Sequence, residues 1–278
     1  MKRRTFLQRA GLAAGGGWSV LAADGRTARA APGTEAGESA AKGAKPVLVT
    51  SAANNLARAI TAGLSDTRPV RLTARAEVHS QYEFFRCPLE RDALTAALVH
   101  DVGAVVLVDE PRGGASLEDQ IDYRTRCTYN LLLAAAQKGL GPVVYLSFLE
   151  MMTAYDAEYD VTEDWRPRPS PQSAALADYL GECVAREFAH ERKLHVIVLR
   201  LGKVVRAEAV QGQPFDPLWV DQRDVVQAVS LALAAEPGPA DSAAAWWSVF
   251  HILSASPAAR FSIEKARRDL GYKPQFNG

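Results

Sequence analysis

The chain has 278 residues, 48% of them hydrophobic and 23% charged, and its 32 basic side chains are balanced by 32 acidic ones. That composition builds one large globular core, and zero net charge speaks against nucleic acid or an anionic membrane surface as the main partner. No run reaches the roughly 18 uninterrupted apolar residues of a membrane span, and Cys87, Cys127 and Cys183, without CxxC or Cys/His spacing, offer no zinc site and read as buried small hydrophobes.

In chain order, Arg3 and Arg4 precede Phe6 and Leu7, the stretch "AGLAAGGGWSVLAA" comes next, and Ala28-Arg29-Ala30 closes it. A charged start, an apolar middle and a small-residue exit make residues 1–30 an export signal. The paired arginines resemble a twin-arginine signal in particular, which implies delivery of an already folded protein to the periplasm or beyond. Residues 31–45 are small, polar and glycine-rich, the composition of a flexible linker. The folded body is expected over 46–275.

Strand-like runs fall at 46–50, 69–74, 104–109, 142–147 and 194–201, with a weaker one at 82–86. Helical patterns occupy 54–64, 90–99, 117–138 and 172–192, the third with an apolar stripe of Leu131, Leu132, Ala135 and Ala136. The strands are continuous apolar runs, as expected where helices cover both faces of a parallel sheet. The fold class is therefore α/β, a Rossmann-like doubly wound parallel sheet. A small C-terminal lobe, 203–275, adds a helix from Asp221 to Ala235, a strand at 246–254 and a short helix at 262–274 with Ser262 as N-cap and Gly271 as its stop. Trp246 and Trp247, adjacent in a strand, should face opposite ways.

Five segments in this order, "VLVTSAANNLARAI", "TYNLLLAAAQKGLGPVVYLS", "VIVLRLG", "WVDQRDVVQAV" and "SIEKARRDLGYKPQ", resemble the extended short-chain dehydrogenase/reductase family, the NAD-dependent epimerase/dehydratase group. The short gap between Arg200 and Trp219 and the form of the tail are similar to its compact subgroup that includes uronate dehydrogenases. The resemblance implies an NAD or NADP cofactor and a sugar or uronate ligand. It also implies a homodimer through the helices at 117–138 and 172–192.

The family's marks are altered here. Glycines in the first βα turn make a tight bend, let the backbone approach a pyrophosphate and let helix and strand pack closely; the matching positions are Ser51, Asn54 and Ala57. Asn tolerates a left-handed backbone, and Asn55 and Leu56 open a helix whose N-terminus remains an anion site. Pro88 stands where an acidic residue would contact adenine, and Asp109, with Val108 and Glu110, would face the pyrophosphate and repel it. Arg75 is either a solvated side chain or a partner for a 2′-phosphate.

Hydride chemistry in this family uses a Tyr and a Lys four residues apart on one helix face, the lysine lowering the tyrosine's pKa. Ala174 and Asp178 occupy those positions, and no Tyr in the chain is followed four residues later by Lys. The hydroxyl that the family places after the fifth strand falls near Phe148 or Leu149, leaving Ser147. The acidic, aromatic loop 150–169 should overhang the cleft at the strand ends. His195 and His251 read as satisfied core or edge residues, and Arg200 as structural. Two functions remain: an exported non-catalytic protein that holds a ligand or partner, to which the missing pair leans, or an NAD(P)-dependent oxidoreductase or epimerase acting on a sugar or uronate.

Overall fold

The computed structural model describes residues 44–110, 115–238 and 241–276, so the export signal and most of the linker lie outside the described residues. Its strands are β1 (Val47–Val49), β2 (Val70–Ala74), β3 (Glu83–Arg86), β4 (Ala104–Leu107), β5 (Val143–Phe148), β6 (Val196–Leu201), β7 (Lys203–Val205), β8 (Trp219–Asp221) and β9 (Trp247–Ile252). Its α-helices are α1 (Asn55–Ser65), α2 (Ala93–Leu98), α3 (Leu117–Asp122), α4 (Thr128–Gln137), α5 (Ala174–His190) and α6 (Gln222–Ala234).

Seven strands form one sheet in the order β3-β2-β1-β4-β5-β6-β9, and every neighbouring pair is parallel. Strand order reverses between β1 and β4, which opens a crevice at the carboxyl ends of the strands. Side chains of β5 and β6 are buried on both faces because each face has its own helical layer. One core joins Val49, Ile60, Leu146, Leu199 and Val229 under α1 and α6. The other joins Leu48, Leu131, Tyr145, Phe188 and Val198 under α4 and α5. The helices expected at 117–138 and 172–192 therefore share a face, as the doubly wound reading requires. Cys87 and Cys127 are buried, Cys183 is half-buried, and all three thiols are free.

Four local features depart from expectation. A π-helical turn, Tyr123–Cys127, joins α3 to α4. One extra residue in a turn rotates the remainder of the helix by about 100°, and here Tyr123, Arg124 and Cys127 are buried while Arg126 stays outside. The gap after β6 holds the short parallel pair β7–β8, which the sequence pattern does not reveal. β9 begins only at Trp247, and Trp246 has a helical backbone, so strand alternation does not apply. Both rings pack on the same core, with Trp246 stacked on His195 at 4.2 Å. Finally, the last helix is shorter than 262–274. Ser262 Oγ accepts the Glu264 N–H at 3.3 Å, a π turn spans Ala266–Leu270, and Gly271 ends it with φ of +72°.

α5 lies directly on β5 at Gly181, where a β-carbon would meet the Tyr145 hydroxyl and the Arg124 carbonyl, the latter at 2.8 Å. Gly181→Ala should lower stability by about 1–3 kcal/mol through overpacking. In a Tyr145→Phe background the same change should cost clearly less. Urea unfolding of the four proteins checks both statements, and equal costs in the two backgrounds would remove the hydroxyl as the cause.

Candidate functional site

The turn after β1 folds without glycine by using side chains as ties. The left-handed backbone falls on Ser51, with φ of +58°, and not on Asn54, whose φ of −74° and ψ of 134° are extended. A left-handed non-glycine residue costs about 1–2 kcal/mol. Hydrogen bonds accompany that strain: Ser51 Oγ donates to the Val108 carbonyl at 2.9 Å and lies 2.7 Å from the Tyr123 hydroxyl. Thr50 Oγ1 accepts the Val108 N–H at 2.9 Å. Asn54 is the N-cap of α1, accepting the Leu56 N–H at 2.8 Å, while its Nδ2 donates to the Asp109 carbonyl at 2.8 Å. The turn is thus zipped to the end of β4. Leu56 and Ala57 are buried, and Asn55 is exposed.

A cleft of about 750 Å³ opens beside the N-terminus of α1, lined by Asn54, Asn55, Arg58, Val204 and Arg206. Two guanidinium side chains and a helix N-terminus suit phosphate oxygens. Towards β5 and β6 a smaller pocket of about 180 Å³ is lined by Phe148, Leu149, Glu150 and Lys203. Lys203 is held there by Asp216 at 2.7 Å.

Asp109 does not face the cleft. It turns inward to Arg124, Nε to Oδ1 at 3.1 Å. Arg124 Nη2 meets Asp178 Oδ1 at 2.8 Å, and Nη1 donates to the Leu146 carbonyl at 2.9 Å. The guanidinium lies 5.2 Å from the centre of the Tyr145 ring. Burial opposes its charge, yet Tyr145, Asp109 and Asp178 outweigh burial and hold it protonated. Burial pushes the Glu110 carboxyl up, and Arg75 beside it pulls it back. Arg75 is exposed, and a 2′-phosphate there would meet the Glu110 carboxylate.

The positions matched to hydride transfer are built for packing. Ala174 begins α5 half-buried, and Asp178, one turn on, is fully buried against Arg124. Ser147 has no exposed surface and its Oγ has no hydrogen-bond partner. Leu149 is buried. The next turn of α5 holds a second buried pair: Arg200 donates from Nε and Nη2 to Glu182 at 2.9 and 2.7 Å. His251, on the neighbouring rung of β9, is fully buried, with the Ser262 backbone beside its ring. Burial, with Arg200 nearby, pushes its pKa down to about 3. His195 is satisfied, its Nδ1 lying 2.6 Å from the Ala245 carbonyl.

The loop 150–169 begins at the pocket beside β5 and β6, which Glu150 and Thr153 line, and its remainder docks onto the C-terminal lobe. Trp165 packs edge-on against Tyr155 at 4.8 Å, Arg260 Nη2 donates to the Tyr155 carbonyl at 2.6 Å, and Val161 bridges to Phe261. Of its carboxylates, Glu163 accepts the His251 N–H at 3.0 Å. Among the described residues no group of His, Cys, Asp and Glu can hold a metal ion. The cleft thus offers groups that suit phosphate oxygens, and the positions matched to hydride transfer hold Ala174 and Asp178. Arg124, Glu182 and Arg206 went unread in the sequence because no spacing links them to their partners.

No family model matches the chain. The NAD-dependent glucose-6-phosphate dehydrogenase of Haloferax volcanii is 21% identical over 257 residues, covering 84% of this chain and 94% of that protein. A mutated uronate dehydrogenase superposes with a TM-score of 0.69 at 22% identity, over 84% of this chain and 82% of that one. A short-chain dehydrogenase/reductase superfamily protein from Agrobacterium tumefaciens, solved with bound NAD, gives a TM-score of 0.69 at 19% identity, over 83% of this chain and 93% of that one. These likenesses establish the Rossmann-like α/β fold.

Two outcomes test the buried charges. Arg124→Met removes the guanidinium that Asp109 and Asp178 both face and should cost about 3–5 kcal/mol, whereas Arg124→Met with Asp109→Leu and Asp178→Leu should cost much less; urea unfolding measures both. His251 takes its proton more readily unfolded, with an ordinary pKa near 6.5, than folded, where it is about 3. Stability should therefore fall as pH drops below that ordinary value, with a slope of up to about 1.4 kcal/mol per pH unit from this group. His251→Leu should flatten the slope by that amount between mildly acidic buffers, and an unchanged slope would show that the histidine is not the cause.

Proposed function

We propose that this chain is an exported ligand-binding protein on the fold of an NAD-dependent epimerase/dehydratase, with a cleft directed at a sugar or uronate and without hydride transfer. The observation that carries this reading is the Asp109–Arg124–Asp178 cluster. A working site needs a tyrosine whose proton is available near neutral pH. Ala174 and a carboxylate locked on a guanidinium supply none. The case for export rests on Arg3 and Arg4 with the apolar stretch after them. A homodimer through α3, α4 and α5 is supported by their common face and by exposed Tyr129, whose ring rests on Phe188 at 5.7 Å.

The similar proteins support a second reading more directly. They are a sugar-phosphate dehydrogenase, a uronate dehydrogenase and a chain solved with NAD. On that reading the chain is an NAD(P)-dependent oxidoreductase or epimerase acting on a sugar or uronate. Arg58, Arg206 and the α1 N-terminus favour dinucleotide binding under either reading.

One experiment separates them. The purified protein is mixed with NAD or NADP and with galacturonate or glucose 6-phosphate, following melting temperature and nicotinamide absorbance together. A ligand at about 100 times its dissociation constant adds about 2.7 kcal/mol, several degrees of melting shift. The binding reading expects a shift on adding NAD or NADP alone that Arg206→Glu removes, and no change in absorbance when the sugar is added. Reduction of the nicotinamide would overturn it in favour of the oxidoreductase.

A further inference from the structure

A second cavity, of about 370 Å³, shares no lining residue with the cleft. It lies between α5, the β9 margin of the sheet and the end of the docked loop. Its volume lies within the small-ligand range, about 300–1,000 Å³, and is about half that of the cleft beside α1.

Its floor is charged and sealed. Arg200 is 4% exposed. Two of its nitrogens donate to Glu182, while Nη1 meets only the Met152 sulfur, at 3.9 Å. A guanidinium carries five N–H donors, so this buried group is incompletely satisfied, a costly condition unless a ligand or water completes it. The walls are aromatic: Trp165, Tyr179 and Trp247 are half-buried. Such rings offer a flat apolar face. At the mouth, exposed Arg186 has no carboxylate within ion-pair distance among the described residues.

We propose that this cavity binds a pyranose bearing a carboxylate. The C–H faces of the sugar ring suit the indole walls. Its hydroxyls suit the rim of paired charges, which both donates and accepts. Its carboxylate suits the planar fork of Arg186. A neutral apolar ligand would leave the guanidinium groups unanswered, and a bare anion would leave the aromatic walls unused.

The test is titration of the purified full-length protein with galacturonate, galactose and inorganic phosphate, read by calorimetry and tryptophan fluorescence. Galacturonate should bind saturably at this site, at least about tenfold tighter than galactose or phosphate. Arg186→Glu and Trp247→Ala should each weaken that binding at least about tenfold, while Arg206→Glu, in the cleft, should leave it unchanged. If Trp247→Ala fails to fold, Arg186→Glu, at an exposed position, decides alone. The proposal is overturned if galactose or phosphate binds equally well, if no saturable binding occurs, or if Arg206→Glu abolishes it while Arg186→Glu does not. The last result would assign the sugar to the cleft alone, so this proposal and the cleft reading fail separately.

Discussion

The Arg124 guanidinium joins the end of β4 through Asp109, the β5 backbone through the Leu146 carbonyl, and α5 through Asp178. A buried charge of this kind is weak evidence for stability, because desolvation offsets most of the attraction. What it contributes is placement. With the guanidinium at 2% exposure and anchored on three sides, neither β4 nor α5 can slide along the sheet without stranding a charge. The π turn carries this residue: Tyr123, Arg124 and Cys127 are buried there while Arg126 stays outside.

The cofactor turn depends on the same π turn. Tyr123 delivers its hydroxyl to Ser51, the residue with the left-handed backbone, and both reach the Val108 carbonyl. Burial raises the phenol's pKa, so it stays a neutral donor at this contact. Glycine would be free to bend there with no partner. Serine needs one, and the Ser51–Tyr123–Val108 contact supplies it. The glycine-free turn after β1 and the π turn in the neighbouring helix are parts of one arrangement.

Much of this fold was legible because buried parallel strands write themselves as continuous apolar runs, and seven such strands bounded by helices admit few topologies. β7 and β8 were not legible, since three residues apiece carry no period. Arg124 was invisible for a different reason. A 3.6-residue period read across 117–138 assigns faces on the assumption of an unbroken helix, and the π turn shifts that phase. The candidate site was half legible. Of Ser51, Asn54, Ala174 and Asp178 the sequence could report only what they lack. Their hydrogen bonds and ion pairs, which explain why Asn54 caps a helix and Asp109 turns away from the cleft, come from residues far along the chain.

A Tyr–Lys pair at positions 174 and 178 would disturb the same cluster. Placing Lys at 178 would set an ammonium beside Arg124, and two cations within hydrogen-bond reach in a dry site repel strongly. Asp109 alone would then have to balance both. Placing Tyr at 174 would give that lysine its phenol, but at a half-buried position on the first residue of α5. The buried arginine must therefore change along with the pair. Removing it in turn takes a cation from beside Asp109 and withdraws the donor from the Leu146 carbonyl. A Tyr–Lys pair at 174 and 178 would therefore require a rebuilt core beneath it, because Asp109, Arg124, Leu146 and Asp178 are tied together there.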